Sequence, residues 1–167
     1  SRPVVGDGLI FALTGWSRGQ VLAIRPGRAR EVVDANAVFK VESGSAAPQL
    51  RVVWSKLNSV PKKPGLLLLD GRLFMIDDGG IASCVDAKTG EEIWRERVGG
   101  NYSASPLYAD GRIYFFSEEG KGTVIAADRQ FRKLAENKLD AGFMASPGVT
   151  GKALILRTKT HLYRIED

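Results

Sequence analysis

Four stretches of the chain repeat one arrangement of apolar and polar positions. Each opens with a short apolar run, breaks at a turn glycine and resumes with five residues of strand character. The short runs are Pro3–Val5, Leu66–Leu69, Pro106–Ala109 and Pro147–Val149. The turns are Asp7-Gly8, Asp70-Gly71, Asp110-Gly111 and Thr150-Gly151, and the runs after them are Leu9–Leu13, Arg72–Ile76, Arg112–Phe116 and Lys152–Leu156. Asp-Gly favours a two-residue hairpin, because the primed turns need positive φ, which Gly supplies freely and Asp tolerates. A second polar turn then leads to third strands predicted at Gln20–Ile24, Ile81–Val85, Thr123–Ala127 and His161–Ile165.

The pattern predicts fourth strands at Leu50–Leu57, Glu92–Val98 and Phe131–Leu134, and none in the last repeat. Residues 26–49 have weak periodicity and read as a loop insertion with a short strand near Val38–Val41. The turn glycines Gly71, Gly111 and Gly151 stand 40 residues apart, as do Trp54 and Trp94. A period of about 40 residues made only of strands is the signature of propeller blades. Runs such as Leu66–Leu69 and Ile113–Phe116 are apolar on both faces, as strands packed between two neighbours are.

The expected fold is therefore an all-β β-propeller of four consecutive four-stranded blades, the last lacking its outer strand. The blades span about 1–57, 58–98, 99–138 and 139–167 within a single partial domain, 1–167. Four blades lie at the bottom of the usual range of roughly 4–8, so the expectation is an arc of a larger ring of roughly 7–8 blades. Remaining blades or a second copy of the chain would complete that ring, because free blade faces and an unpaired edge invite association.

Composition narrows the function classes. Apolar runs such as Leu66–Leu69 are far below the ~20 residues of a membrane span. The net charge of +5 is mild and scattered, and the cluster Lys56, Lys62 and Lys63 has no interleaved aromatics, so it reads as a solvated loop and not a nucleic-acid groove. Cys84 is the only cysteine, which excludes an intrachain disulfide and reads as a small buried hydrophobe. His161 is the only histidine, which excludes a multi-histidine metal site within one chain.

Asp86-Ala87-Lys88-Thr89-Gly90-Glu91-Glu92-Ile93-Trp94 resembles the tryptophan-docking motif of pyrroloquinoline-quinone-like (PQQ-like) propeller repeats, small-x-Asp-x-x-Thr-Gly-x-x-x-Trp. Ser105-Pro106-Leu107-Tyr108-Ala109-Asp110-Gly111 and Ser146-Pro147 resemble that family's blade openings. The resemblance implies structural docking roles for Trp54, Asp86, Thr89, Gly90 and Trp94, with Asp128 in the place of Asp86 in the third repeat. The family divides into alcohol dehydrogenases that use pyrroloquinoline quinone and calcium, and cofactor-free bacterial members that act outside the cytoplasm. The dehydrogenases carry a vicinal cysteine pair, and Cys84 has no cysteine neighbour. The expected function is therefore a non-catalytic binding or assembly scaffold with a protein or peptide partner, periplasmic or secreted, with no cofactor. Its competitor is a quinone- and calcium-dependent dehydrogenase.

Other chemistry is sparse. Asp77-Asp78-Gly79-Gly80 reads as a turn before it reads as a calcium loop, which needs 6–8 converging oxygens. Gly120-Lys121-Gly122-Thr123 lacks phosphate-loop spacing and a following helix. Asn101-Tyr102-Ser103 meets the glycosylation sequon, a frequent chance match. The segments Asn101–Ser105 and Gly142–Ser146 both lead into inner strands, which makes Tyr102, Ser103, Phe143 and Met144 candidates for contacts at one mouth of the central channel. The same placement suits packing between blades, which is the more economical reading.

Overall fold

The structure, a computed structural model, describes residues 2–14, 19–27, 51–139 and 141–166. The predicted loop and short strand at 26–49 lie almost entirely outside the described residues. Every regular element among them is a strand. Blade 1 contains β1 (Val4–Gly6), β2 (Leu9–Thr14), β3 (Gln20–Arg25) and β4 (Arg51–Lys56). Blade 2 contains β5 (Leu67–Leu69), β6 (Arg72–Ile76), β7 (Ile81–Asp86) and β8 (Glu92–Arg97). Blade 3 contains β9 (Leu107–Ala109), β10 (Arg112–Phe116), β11 (Lys121–Ala126) and β12 (Lys133–Lys138), and blade 4 has β13 (Gly148–Thr150), β14 (Ala153–Arg157) and β15 (Leu162–Ile165). Each sheet is an antiparallel meander in chain order, three of them four-stranded and the last three-stranded. The stack is open, not a closed ring.

The hairpin chemistry holds in three blades and shifts in the fourth. Asp7, Asp70 and Asp110 adopt φ of 53°, 47° and 48°, each followed by a glycine with positive φ, as a type I′ turn requires. In blade 4 the pair Thr150↔Ala153 closes the hairpin around Gly151-Lys152 instead of Thr150-Gly151. Gly151 takes φ 58° and stands first in the loop, which is the position glycine holds in a type II′ turn. The 40-residue glycine spacing thus conceals a one-residue change of register.

The cores lie between blades, as the two-faced apolar runs require. Leu73, Met75 and Val85 of blade 2 pack with Leu9, Phe11 and Val21 of blade 1. The alternate residues Phe74, Ile76, Ala82 and Cys84 pack with Tyr102, Ile113, Phe115 and Ile125 of blade 3. Phe116 of blade 3 meets Phe143 and Leu156 on the blade 4 side. Cys84 is fully buried in the second core, and burial pushes its thiol up to about 12. It is a packing residue.

Two tryptophans fix how blades meet at the outer edge. Trp54 stands opposite Ala23 and Trp94 opposite Cys84, in each case beside a bulge at the same place in the ladder. The Trp54 indole donates to Ala87 O of the next blade at 3.0 Å, and the Trp94 indole donates to Asp128 O at 3.2 Å. Trp54 lies on Gly90, where a Cβ would come within 2.6 Å of the ring, and Gly90 holds φ +76°. Asp86 organises this loop by accepting from Lys88 N and Thr89 N, both at 2.9 Å, and Thr89 Oγ1 accepts from Glu91 N at 3.2 Å. The amides of Ala87 and Ala127 donate to Gly71 O and Gly111 O, so Ala126, not Asp128, matches Asp86. Among the described residues the Asp128 carboxylate accepts only from Arg129 N. Without the Asp-Thr-Gly turn, blade 3 places Phe131 where blade 2 has Gly90, and Trp94 meets it edge-on at 5.3 Å. The outer strand of blade 3 consequently begins at Lys133, two residues beyond the predicted Phe131 start.

A buried Trp removes ~150–250 Å² from water, worth on the order of 4–6 kcal/mol as an upper bound. Trp94→Ala is expected to destabilise the protein by about 3–5 kcal/mol. Gly90→Ala should cost more than the roughly 1 kcal/mol typical of a single substitution, because strain and collision combine there. Urea unfolding of both variants checks this, and wild-type midpoints would refute the docking roles.

Candidate functional site

The turns between the second and third strands and the connections between blades gather at one end of the stack. The turns are alike because their first residue caps them. Asp77 Oδ1 accepts from Gly79 N at 3.0 Å and Ile81 N at 2.8 Å, Ser117 Oγ from Glu119 N at 3.3 Å and Lys121 N at 3.2 Å, and Thr158 Oγ1 from His161 N at 3.1 Å. Asp77 is thus a turn cap. Each inter-blade connection then lies on a neighbouring turn: Tyr102 N donates to Asp78 O at 3.0 Å, and Phe143 N to Ser117 O at 3.0 Å.

This hydrogen bonding decides what reaches the mouth. Tyr102 is fully buried among the residues between blades 2 and 3, with its hydroxyl donating to Gly99 O at 3.0 Å. Phe143 is buried against Phe116, ring centroids 4.9 Å apart. One residue further on, the chain turns outward. Ser103 is half-buried and donates from Oγ to Glu118 Oε1 at 2.5 Å, while Met144, its equivalent in the next blade, is 60% exposed. Ser103 and Met144 therefore lie toward the surface at this end of the stack, and Tyr102 and Phe143 are buried behind them.

Several residues join this surface that the sequence did not assign to it. Lys63 Nζ donates to Glu118 Oε1 at 3.2 Å across the blade boundary. The amides of Lys62 and Lys63 donate to the Asp78 carboxylate at 3.0 and 3.1 Å. Asn101 Nδ2, the sequon amide, donates to Glu119 Oε1 at 2.7 Å. The lysine segment is thus more than a solvated loop, since it links blade to blade; Lys56 does the same on the outer strand, pairing with Glu92 at 2.9 Å. The signal that would have found these groups is the pair of carboxylate-bearing turns, Asp77-Asp78 and Glu118-Glu119, about one repeat apart.

Glu118 and Glu119 are held in their ionised form. The Asn101 side-chain amide, with its backbone N–H, brings Glu119 down to about 2. The Ser103 hydroxyl, then Lys63, lowers Glu118. Beside this network an open cleft of ≈ 540 Å³ lies between blades 1 and 2, lined by Leu57, Val60, Lys62 and Asp78 among others. The inner rim has its own connection: Gly65 N donates to Ser105 Oγ at 2.9 Å, and Ser105 N donates to Ser146 Oγ at 3.0 Å. The Ser-Pro blade openings thus form a ladder in which each hydroxyl accepts from the equivalent amide of the preceding blade.

The one thiol is sealed between blades opposite Trp94, and the mouth carboxylates already take their donors from Asn101, Ser103, Lys63 and the 62–63 amides.

A family model described as outer membrane protein assembly factor BamB matches residues 39–135. Among solved structures, the chain is similar to BamB from Moraxella catarrhalis, with 15% identity and a TM-score of 0.66 over 98% of this chain and 44% of that one. It is also similar to a europium-containing methanol dehydrogenase (16% identity, TM-score 0.57, 81% of this chain and 24% of that one). A third is the Neurospora crassa Pan2 WD40 domain (13% identity, TM-score 0.64, 96% and 44%). The chain spans less than half the length of each. Identities this low establish the propeller fold and nothing finer. No curated protein matches the chain by sequence.

The Glu119 shift carries a sign. Its folded pKa of about 2 lies below the ordinary glutamate value of 4.5, so its stabilisation is present above pH 4.5 and is lost as pH falls through 2. Asn101→Ala should return the Glu119 titration toward 4.5 and reduce the acid-dependent loss of stability between those values. Carboxyl-resolved NMR titration reads this directly; an unchanged Glu119 in the variant would disprove the assignment.

Proposed function

The chain belongs to the family of outer membrane protein assembly factor BamB, and on that premise we propose that it is a non-catalytic scaffold that holds a partner protein on its loop-bearing end. The observation that carries this reading is how the mouth carboxylates are used. Asp78, Glu118 and Glu119 each accept hydrogen bonds from the segments that lead into the inner strands, and Glu118 takes one of its donors, Lys63, from the preceding blade. A general acid or base needs a pKa near the working pH, whereas Glu118 and Glu119 are pushed the other way. What remains outward is suited to contact: the exposed side chains of Met144 and Leu57 beside a rim of paired charges. Apolar anchors within a polar rim are the usual composition of a protein-binding surface.

The location we propose is extracytoplasmic, in keeping with an outer-membrane assembly family. Among the described residues no helix is long and apolar enough to cross a membrane. The partner class is an exported protein in the course of assembly.

The competing dehydrogenase reading is tested directly. Pyrroloquinoline quinone and calcium are added to the protein with short alcohols, and dye reduction is followed. The expected outcome is no turnover above the free quinone. Turnover abolished by chelation would overturn the scaffold reading.

A further inference from the structure

The walls that meet at the seams between blades 1 and 2 and between blades 2 and 3 can be compared position by position, because the cross-strand register repeats. Lys56 stands opposite Val21 in blade 1, and Glu96 opposite Ala82 in blade 2, each two residues beyond a docking tryptophan. Both therefore lie on the side turned toward the following blade. The wall they meet carries charges of its own. In blade 2 these are Glu92 opposite Val85 and Arg95 opposite Ser83; in blade 3 they are Lys133 opposite Ile125 and Glu136 opposite Thr123. Val21 and Val85 belong to the core between blades 1 and 2, and Ala82 and Ile125 to the core between blades 2 and 3, which fixes these directions.

The sign of the charge changes at all three positions. Lys56, Glu92 and Arg95 at the first seam are replaced by Glu96, Lys133 and Glu136 at the second. A fourth position, Arg97 or Lys138, is cationic at both seams and distinguishes nothing. The surrounding geometry is shared, since both indoles reach a carbonyl of the following blade, at 3.0 and 3.2 Å. At the first seam the charges meet across the boundary. Lys56 Nζ lies 2.9 Å from Glu92 Oε2, Arg95 Nη2 donates to the same oxygen, and the Lys56 side chain is only 14% exposed. At the second seam Lys133 pairs with Glu136 at 3.1 Å on the wall that Glu96 faces.

We propose that these three positions select neighbours, giving each seam a charge pattern that admits its own pair of blades and rejects the other. Apolar slabs of similar shape attract without direction, and wrong assembly is a characteristic failure of repeat proteins. Specificity is a difference of affinities, and a repulsive element against the wrong partner supplies it. Correct neighbours set Lys56 against Glu92 and Glu96 against Lys133. Wrong neighbours set like charges together. Blade 1 docked on the near wall of blade 3 brings Lys56 to Lys133, and blade 2 docked on the near wall of blade 2 in a second copy brings Glu96 to Glu92. The partner rejected is thus this chain itself, in the wrong order or in another molecule.

The test uses three variants of the full chain. The first gives the second seam the charges of the first, through Glu96→Lys, Lys133→Glu and Glu136→Arg. The second does the reverse, through Lys56→Glu, Glu92→Lys and Arg95→Glu. The third carries all six changes and exchanges the two patterns. Both three-site variants keep opposite charges across each seam but make the seams alike, whereas the six-site variant makes them different again. Each protein is unfolded in urea and refolded over a range of concentrations. Size-exclusion chromatography measures recovery of the species present before unfolding, and urea midpoints are taken from the same samples. Recovery should fall about threefold in both three-site variants, most at high concentration, and return to the wild-type level in the six-site variant. Equal recovery in all four proteins would overturn the proposal. So would a six-site variant no better than the three-site ones, or recovery that follows the urea midpoints and not the pattern of signs.

Discussion

Everything in this arc depends on burying both faces of each inner sheet at once. A strand such as Arg72–Ile76 sends Leu73 and Met75 one way and Phe74 and Ile76 the other, so a blade without neighbours would expose one apolar side to water. Shape alone does not fix the angle between two such slabs, because apolar contact has no direction. Direction comes from hydrogen bonds at the two edges. Outside, an indole N–H reaches a carbonyl of the next blade; inside, a Ser hydroxyl accepts an amide of the preceding one. Together they set the wedge that makes a stack of sheets curve.

Much of the architecture was legible in the sequence because it is written in local chemistry. Asp-Gly turns and two-faced apolar runs each specify their geometry within a few residues, and the strands fall where those signals put them. The misreadings have a common cause. Thr150-Gly151 looked like the other turns by spacing, yet one glycine serves two turn types, and only the pairing Thr150↔Ala153 tells them apart. Asp128 looked like Asp86 because both follow a third strand, but the connection in blade 3 is one residue longer. A side-chain cap has no meaning until the amides it faces are known.

The candidate site was legible to the segment and not to the residue. Asn101–Ser105 and Gly142–Ser146 both lie against the turns at one end of the stack, and alternation along an extended chain then divides them, Tyr102 and Phe143 inward, Ser103 and Met144 outward. The phase of that alternation is set by the Tyr102 and Phe143 amides donating to turn carbonyls, contacts made with residues from a different turn. Glu118 and Glu119 escaped for a related reason. A carboxylate in a hairpin turn looks like solubilising charge until its donors arrive from the segments that lead into the inner strands.

The stack is not held equally along its length. Where blades 1 and 2 each project a tryptophan, blade 3 has Ala135 at the matching place on a strand exposed from end to end, and Tyr114 and Phe116 face blade 4 without an indole over them. In a molecule whose repeats speak only to their neighbours, free energy adds seam by seam, and the weakest seam sets the limit of cooperativity. The first three blades therefore form a more tightly coupled block, with the fourth joined to it by aromatic packing and the serine ladder. A load applied across the arc concentrates at that joint, which gives a three-dimensional ring-forming fold the character of a hinge at one chosen place.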